Sequence, residues 1–529
     1  MNMNNKKFPR FLLICALALA AAYAHGEADA TALRLPRLIS DHMVLQAGCP
    51  AAIWGWAVPG TPVRVVFVPA KGDQESSFEA VADITGCWSG RLPALSVNVT
   101  GSLRITAGAG TEKHIQDVIV GEVWLGSGQS NMGFSMGAAN VPKEIQEEEK
   151  RYADRISPAI RLFNVAREGE DLPRDDVNGE WVVITSHNAR HFPAVAWYFA
   201  QALHDKLERP VGMIVSSIGG TPIEAWIPAD ALGKTSVAGA VRERHLKALQ
   251  GWEPKMADYE AKLAVWQKKY PTPQLQHKYN STKPPEPYNP KNKGAPSRLY
   301  NAMLHGLVPY TITGIIWYQA ENNSSRPGEY SELVQTLIKS LRKNWNEELP
   351  FYYVEIANFK APQTVPVEGG FAFIREAQAG ALLLPKTGVA TAVDLGLADD
   401  VHYPNKKPLG RRLAGLALAD VYAVTMDDPR SPELAGFQIE GGKARLRFKH
   451  TRGLRLNTDS LKGFAIRGGD GLWKWAEGCV EGDEIVVWNK DIPSPVAVRY
   501  GWADNPVLSV ENGSGLPLRP FRTDPESKE

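Results

Sequence analysis

Cysteine is scarce in this chain, four in 529 residues, and one of the four, Cys15, sits inside an apolar run near the N-terminus. That excludes a disulfide framework as the source of stability for a protein of this size. Removal of the N-terminal run leaves Cys49, Cys87 and Cys479, an odd number that allows at most one internal bridge. Cys49 with Cys87 is the candidate bridge, and burial as small apolar side chains is the other reading. A charge of one sign is missing too. Lys and Arg total 59 against 58 Asp and Glu, a net charge of +1, so no global field draws the chain to nucleic acid. Past the first residues no apolar run approaches the ~20 residues of a membrane-spanning helix, so no span is expected in the mature protein. The 11 histidines show no His-Glu-x-x-His or comparable ligand spacing, which argues against a metallohydrolase.

What is present is an ordinary globular composition, 44% hydrophobic and 22% charged, in a chain too long for one hydrophobic core. Two or three domains are expected. Lys6, Lys7 and Arg10 precede an apolar run over residues 11–22, and Ala22-Tyr23-Ala24 reads as a small-x-small cleavage site. Residues 1–24 are therefore expected to be a signal peptide, and the mature protein periplasmic or secreted. Residues 31–117 show short strands and tight turns, as in Ala51-Ala-Ile-Trp-Gly-Trp56 followed by Pro59-Gly60, and predict a β-sandwich-like domain. Over residues 118–425 strands alternate with helices, the pattern of a parallel sheet covered on both faces. An insertion at about 240–296 begins as one long charged helix, over about residues 238–269, and continues as a proline-rich extended loop, a candidate rim or lid of the active site. Residues 426–529 return to short alternating segments and predict a β-rich domain.

Parallel sheets present their reactive groups in loops beyond the carboxyl ends of the strands. Four segments stand at such ends: Gly128-Gln-Ser-Asn-Met132, Ser217-Ile-Gly-Gly-Thr221, Gln319-Ala-Glu-Asn-Asn323 and Asp399-Asp-Val-His402. A serine hydroxyl needs a base within hydrogen-bond reach and donors aimed at the oxyanion formed on attack. Ser130, in a turn after a strand, is the candidate nucleophile, and His402 the candidate base. Asp399, three residues before it, can accept from the other ring nitrogen and fix the tautomer. The Gly220 backbone N–H has no side chain in its way, and the Gln319 amide is a further donor. Taken singly, each has a bland reading: a turn serine, a structural histidine, a solvated capping pair at Asp399 and Asp400. Their order and placement together favour the catalytic one.

With those residues in place, a resemblance can be stated. Val123-Trp-Leu-Gly-Ser-Gly-Gln-Ser-Asn-Met132 resembles the nucleophile block of the sialate O-acetylesterase family, within the SGNH hydrolase superfamily. Gly219-Gly-Thr221 with Glu224-Ala-Trp226, Leu299-Tyr-Asn-Ala-Met303, Trp317-Tyr-Gln319, Arg375-Glu-Ala-Gln378, and Val498-Arg-Tyr-Gly-Trp502 with Pro520-Phe-Arg-Thr-Asp524 resemble further segments in matching order. So does Leu38-Ile-Ser-Asp-His-Met-Val-Leu-Gln46, so the likeness covers nearly all of the mature chain. It implies a three-layer α/β/α SGNH-hydrolase (flavodoxin-like) catalytic domain with accessory β domains at both ends. It also implies no metal or organic cofactor, and hydrolysis of O-acetyl esters on sialic acids or related glycans. Carried over by position, Ser130 is the nucleophile, His402 the base, and Asp400 an alternative to Asp399 as its acid. The Ser130 and Gly220 backbones form the oxyanion hole, with Gln319 where the superfamily usually has Asn. Two positions depart from the family pattern: Ala320 follows Gln319 in place of Gly, and Tyr403 stands between His402 and Pro404. The expected partner is an acetylated sugar. An acetylxylan or other plant-glycan esterase is the alternative, and a glycan-binding protein without activity a further one. Arg298 and Arg375, near active-site segments, are the candidates for reading a sugar carboxylate.

Overall fold

The computed structural model describes residues 33–72 and 74–524. The expected signal peptide, residues 1–24, lies outside the described residues. The alternating part of the sequence builds a mainly parallel sheet of seven strands: β1 (Thr111–Gly128), β2 (Ile160–Asn164), β3 (Trp181–Val183), β4 (Val211–Ser217), β5 (Gly314–Tyr318), β6 (Phe351–Glu355) and β7 (Thr387–Thr391). Their spatial order is β7-β6-β5-β1-β4-β2-β3. Neighbours run parallel except β3, which pairs antiparallel with β2 at the edge. Every residue of β4, β5 and β6 is buried, the signature of strands covered on both faces, and explains why these segments read as continuous apolar runs.

Five helices matter for the site: α1 (Lys143–Ile156), α2 (Ala194–Leu207), α3 (Pro327–Trp345), α4 (Gly370–Gln378) and α5 (Lys407–Asp420). Helices α2 and α5 pack on each other and on the sheet, α2 against β2 and β4, α5 against β6 and β7. Helix α3 buries Tyr330, Leu333, Val334, Leu337, Ile338 and Leu341, a stripe at three- and four-residue spacing, and packs against α4. The whole is a mixed α/β fold with a central, mostly parallel sheet and additional β sheets.

Strand β1 is longer than the apolar run expected from residue 118, because it serves two partners. Its first half pairs antiparallel with Thr100–Ala107, and its second half lies between β4 and β5. One continuous strand thus passes through residues 117 and 118, and a single apolar core runs from Leu33 to Leu418. Upstream, Pro62–Pro69 pairs with Ser76–Val81 and with Thr100–Ala107, while Ala51–Trp56 pairs with Cys87–Leu92. Cys49, Cys87 and Cys479 are all free thiols, so the candidate Cys49–Cys87 bridge is not formed.

The helix expected over residues 238–269 is two helices, Ala238–Leu249 and Trp252–Lys269, because Gly251 adopts a left-handed φ of 62° between them. The proline-rich stretch contains a short helix, Pro273–Lys278, and is otherwise mostly irregular. Its end returns to the strand-end side of the sheet, where Lys293 Nζ donates to the Arg167 carbonyl at 2.5 Å. The C-terminal region forms two further four-stranded sheets around its own core, which includes Leu446, Phe464, Ile466, Val487, Tyr500 and Phe521. Among the described residues no helix is long and apolar enough to cross a membrane.

Candidate active site

The register of the sheet decides where the candidate residues meet. Ser217, the last residue of β4, pairs with Gly128, the last of β1, and Gly128 pairs on its other side with Tyr318, the last of β5. Three chain segments therefore leave the sheet at one level and side by side, the crevice in which open α/β sheets bind ligands. Gly128 is required there. Its φ is 139°, and a Cβ on it would lie 2.1 Å from the Tyr318 carbonyl oxygen. The next N–H, Gln129, donates to that same carbonyl at 2.9 Å, and Met132 and Gly133 both donate back to the Gln129 carbonyl. Ser130, half-buried, is carried at the corner of this tight turn.

The Ser130 hydroxyl and His402 Nε2 are hydrogen-bonded at 2.8 Å. His402 arrives on the long loop between β7 and α5, and the Phe134 ring lies nearly parallel to the imidazole, 12° between planes with centroids 6.4 Å apart. Of the two aspartates, Asp400 is the one turned toward the histidine. Its Oδ1 accepts the His402 backbone N–H at 2.7 Å and lies 3.9 Å from Nδ1, a charge contact rather than a hydrogen bond. Asn140 Nδ2 donates to Asp400 Oδ2 at 2.8 Å and to the His402 carbonyl at 3.0 Å, clamping the loop. Asp399 is exposed to solvent, and among the described residues its side chain makes no hydrogen bond or ion pair.

Gly219 and Gly220 bring the turn after β4 against the serine. A Cβ on Gly219 would stand 3.1 Å from Ser130 Cβ, and Gly220 has a left-handed φ of 69°. The Gly220 carbonyl accepts from Asn322 Nδ2 at 2.8 Å, which pins the turn to the segment after β5. Among the described residues neither the Ser130 N–H nor the Gly220 N–H donates to a protein acceptor, so both remain available to a substrate oxygen.

Gln319 is placed differently from the expectation of a third oxyanion donor. It is wholly buried, and its Nε2 donates to the Thr221 carbonyl at 3.2 Å and to Asn323 Oδ1 at 2.8 Å, while Oε1 accepts from Tyr330 at 2.9 Å. With both amide hydrogens committed inside the protein, it braces the turn after β4 from behind. Ala320, with φ 172°, is in extended backbone that a methyl group tolerates. Arg298 and Arg375 do not reach the crevice either. Arg298 pairs with Asp171 and donates to the Gly169 carbonyl. Arg375 donates to the carbonyls of Ile356, Ala357, Ala503 and Asp504. An exposed guanidinium that does approach the nucleophile turn is Arg167, whose Nη2 lies 3.5 Å from the position of a Cβ on Gly133.

Three residues of the site carried no separate signal in the sequence. Asn131 sits beside the nucleophile with its side chain bonded to Glu321, Val401 and Lys406. Asn140 and Lys406 lie outside the four segments that the sequence marks at strand ends. A cavity of about 280 Å³ elsewhere, between residues 363–368 and the C-terminal sheet, is walled by Phe464, Trp473, Trp475 and Trp502 and holds neither Ser130 nor His402. Among the described residues no group of three or more His, Cys, Asp or Glu side chains is placed to hold a metal ion.

Residues 287–419 match the model of the family described as carbohydrate esterase, sialic acid-specific acetylesterase. The chain is 25% identical to sialate O-acetylesterase of Mus musculus, over 92% of this chain and 94% of that protein. It is 26% identical to the Homo sapiens sialate O-acetylesterase, with 96% of each covered. A crystal structure of a carbohydrate acetylesterase from Xanthomonas citri superposes with a TM-score of 0.76 at 31% identity, covering 93% of this chain and 99% of that one. Identity at that level over nearly the full length of both chains establishes that this protein belongs to the sialate O-acetylesterase family of carbohydrate esterases.

Proposed function

We propose that the protein is a serine esterase that hydrolyses O-acetyl esters on sialic acids or related glycans through an acetyl-enzyme. The observation that carries this is the 2.8 Å contact between Ser130 Oγ and His402 Nε2 in the crevice at the strand ends. His402 takes the hydroxyl proton as Ser130 Oγ attacks the acetyl carbonyl carbon. The carbonyl oxygen becomes an oxyanion, and the N–H groups of Ser130 and Gly220 donate to it. Asp400 stabilises the imidazolium by charge. The proton then passes from Nε2 to the sugar oxygen as the ester bond breaks, and the sugar leaves as an alcohol. Water repeats the sequence on the acetyl-enzyme, giving its proton to His402 and releasing acetate and the free serine.

Family membership and the Ser–His pairing support a three-layer α/β/α SGNH arrangement for the catalytic part. We read the chain as three parts, an N-terminal β part to about residue 117, the catalytic part to about 425 and a C-terminal β part. The N-terminal basic and apolar pattern supports export to the periplasm or medium. Arg167, exposed beside the nucleophile turn, is the cation we assign to the carboxylate of a sialic acid. The test is acetate release from O-acetylated sialic acid and from acetylated xylan, for the parent and for Ser130→Ala. Loss of both activities in Ser130→Ala is expected, with sialic acid the better substrate of the parent. Parent-level hydrolysis by Ser130→Ala removes the serine mechanism, and preference for xylan removes the sialic acid assignment.

A further inference from the structure

Lys406 has no exposed surface, a rare placement because an ammonium group loses its hydration there. Its Nζ donates to Asn131 Oδ1 at 2.6 Å. It lies 3.3 Å from the centroid of the Tyr403 ring, with the rings of Phe134 and Tyr318 at 5.2 and 5.6 Å. Aromatic faces attract a cation, and Glu321 and Asp400 add negative charge nearby. Burial still holds the ammonium well below the ordinary lysine value. A side chain needed only to fill this space would be better apolar.

What Lys406 holds is the residue next to the nucleophile. Asn131 is 1% exposed. Its Nδ2 donates to Glu321 Oε1 at 2.7 Å and to the Val401 carbonyl at 3.2 Å. One carboxamide thus joins the turn after β1, the segment after β5 and the loop that carries His402. The direction of that carboxamide matters. With its nitrogen toward two acceptors, its oxygen faces inward and needs a buried donor, which Lys406 supplies. Without that donor the oxygen is left unsatisfied, and a flipped amide would set it against the Glu321 carboxylate and the Val401 carbonyl.

We propose that Lys406 is a positioning residue of the esterase site, holding Asn131 so that the nucleophile turn and the His402 loop stay in register. Tyr403, which separates His402 from Pro404, gives the ammonium its closest ring face and so belongs to the same device. The proposal rests on Ser130 as nucleophile and His402 as base. It adds that their 2.8 Å contact is kept by the Lys406–Asn131–Val401 bridge.

The experiment uses the full chain with p-nitrophenyl acetate, measuring kcat, KM and the thermal unfolding midpoint for Lys406→Met, Asn131→Ala and the double variant. Misplacement of reacting groups by about 1 Å costs on the order of 10²-fold. Lys406→Met is therefore expected to lose roughly 10- to 100-fold in kcat with KM little changed. Its midpoint should change little, since removal of a desolvated charge offsets the loss of the donor to Asn131 Oδ1. Because Lys406 acts through Asn131, the double variant should fall no lower than Asn131→Ala alone. Unchanged kcat in a folded Lys406→Met protein overturns the proposal, as do two single losses that multiply in the double variant. If Lys406→Met does not fold, Asn131→Ala decides: lost kcat at constant KM supports the bridge, and retained kcat overturns it. Ser130→Ala in the same series keeps the failures apart. Retained activity there removes the serine reading and this proposal with it, whereas an inactive Ser130→Ala beside a fully active Lys406→Met removes only the role of Lys406.

Discussion

Two adjacent aspartates before His402 are placed unequally with respect to its ring. Asp400 places one oxygen 3.9 Å from His402 Nδ1 and holds the His402 backbone N–H at 2.7 Å, while Asp399 points to solvent. A partly exposed charge pair at that distance is worth about 1 kcal/mol, so Asp400→Ala should lower kcat about 5-fold in steady-state esterase assays. Asp400→Asn, which keeps the backbone contact and loses the charge, should fall between parent and Asp400→Ala. Asp399→Ala should stay within about 2-fold of the parent, as surface substitutions do. The reverse ranking would place the acid on the other side of the loop. At this scale the meeting of Ser130 with His402 and the Gly219-Gly220 turn was legible, since a hydroxyl, an imidazole and paired glycines stand beyond successive strand ends. The choice between Asp399 and Asp400 was not, because one residue of loop rotation exchanges them. Nor was the inward turn of Gln319, whose partners Thr221, Asn323 and Tyr330 come from three different segments.

Among the elements, the site depends on three parallel strands ending together, and Gly128 is where that arrangement is least tolerant. The turn to Ser130 starts with the Gly128 backbone against Tyr318, at a φ of 139° that side chains rarely adopt. Gly128→Ala adds a methyl 2.1 Å from a backbone oxygen that is itself the acceptor for Gln129. Strain and overpacking together should cost about 2–5 kcal/mol, read as a lowered urea midpoint. Activity should fall further than stability explains, because the forced shift separates β1 from β5 just below Ser130. An alanine variant with parent midpoint and kcat would mean that the strand ends are not in this register. The strands themselves were legible as apolar runs. Two features were not. Residues 111–117 are polar, and their continuity with the apolar strand from 118 shows only once Thr100–Ala107 is found beside them. The charged pattern of 238–269 continues across Gly251, where backbone freedom rather than periodicity ends the first helix.

On the scale of the whole molecule, the C-terminal core is fastened to the central sheet by buried charge. Arg519 donates to Glu355 Oε1, at the end of β6, through Nε at 3.2 Å and Nη2 at 2.9 Å, with side chains only 8% and 2% exposed. Arg522 pairs with Glu376 on α4 at 2.8 Å, and Arg375 on the same helix reaches back to the carbonyls of Ala503 and Asp504. These contacts give a physical meaning to the segments around residues 498–502 and 520–524, which lie outside the crevice: they hold the C-terminal part against β6 and α4. A buried carboxylate stripped of its partner is costly, whereas replacing both charges by apolar groups is often neutral. Arg519→Ala should therefore destabilise by about 3–5 kcal/mol, seen as an earlier transition in both circular dichroism and tryptophan fluorescence. Arg519→Met combined with Glu355→Leu should recover most of that loss. Because Ser130 and His402 are carried by segments that leave the larger core, at the end of β1 and between β7 and α5, the double variant should also keep kcat near the parent value. A double variant as unstable as Arg519→Ala would show that packing volume, and not the pairing of charge, joins the two cores.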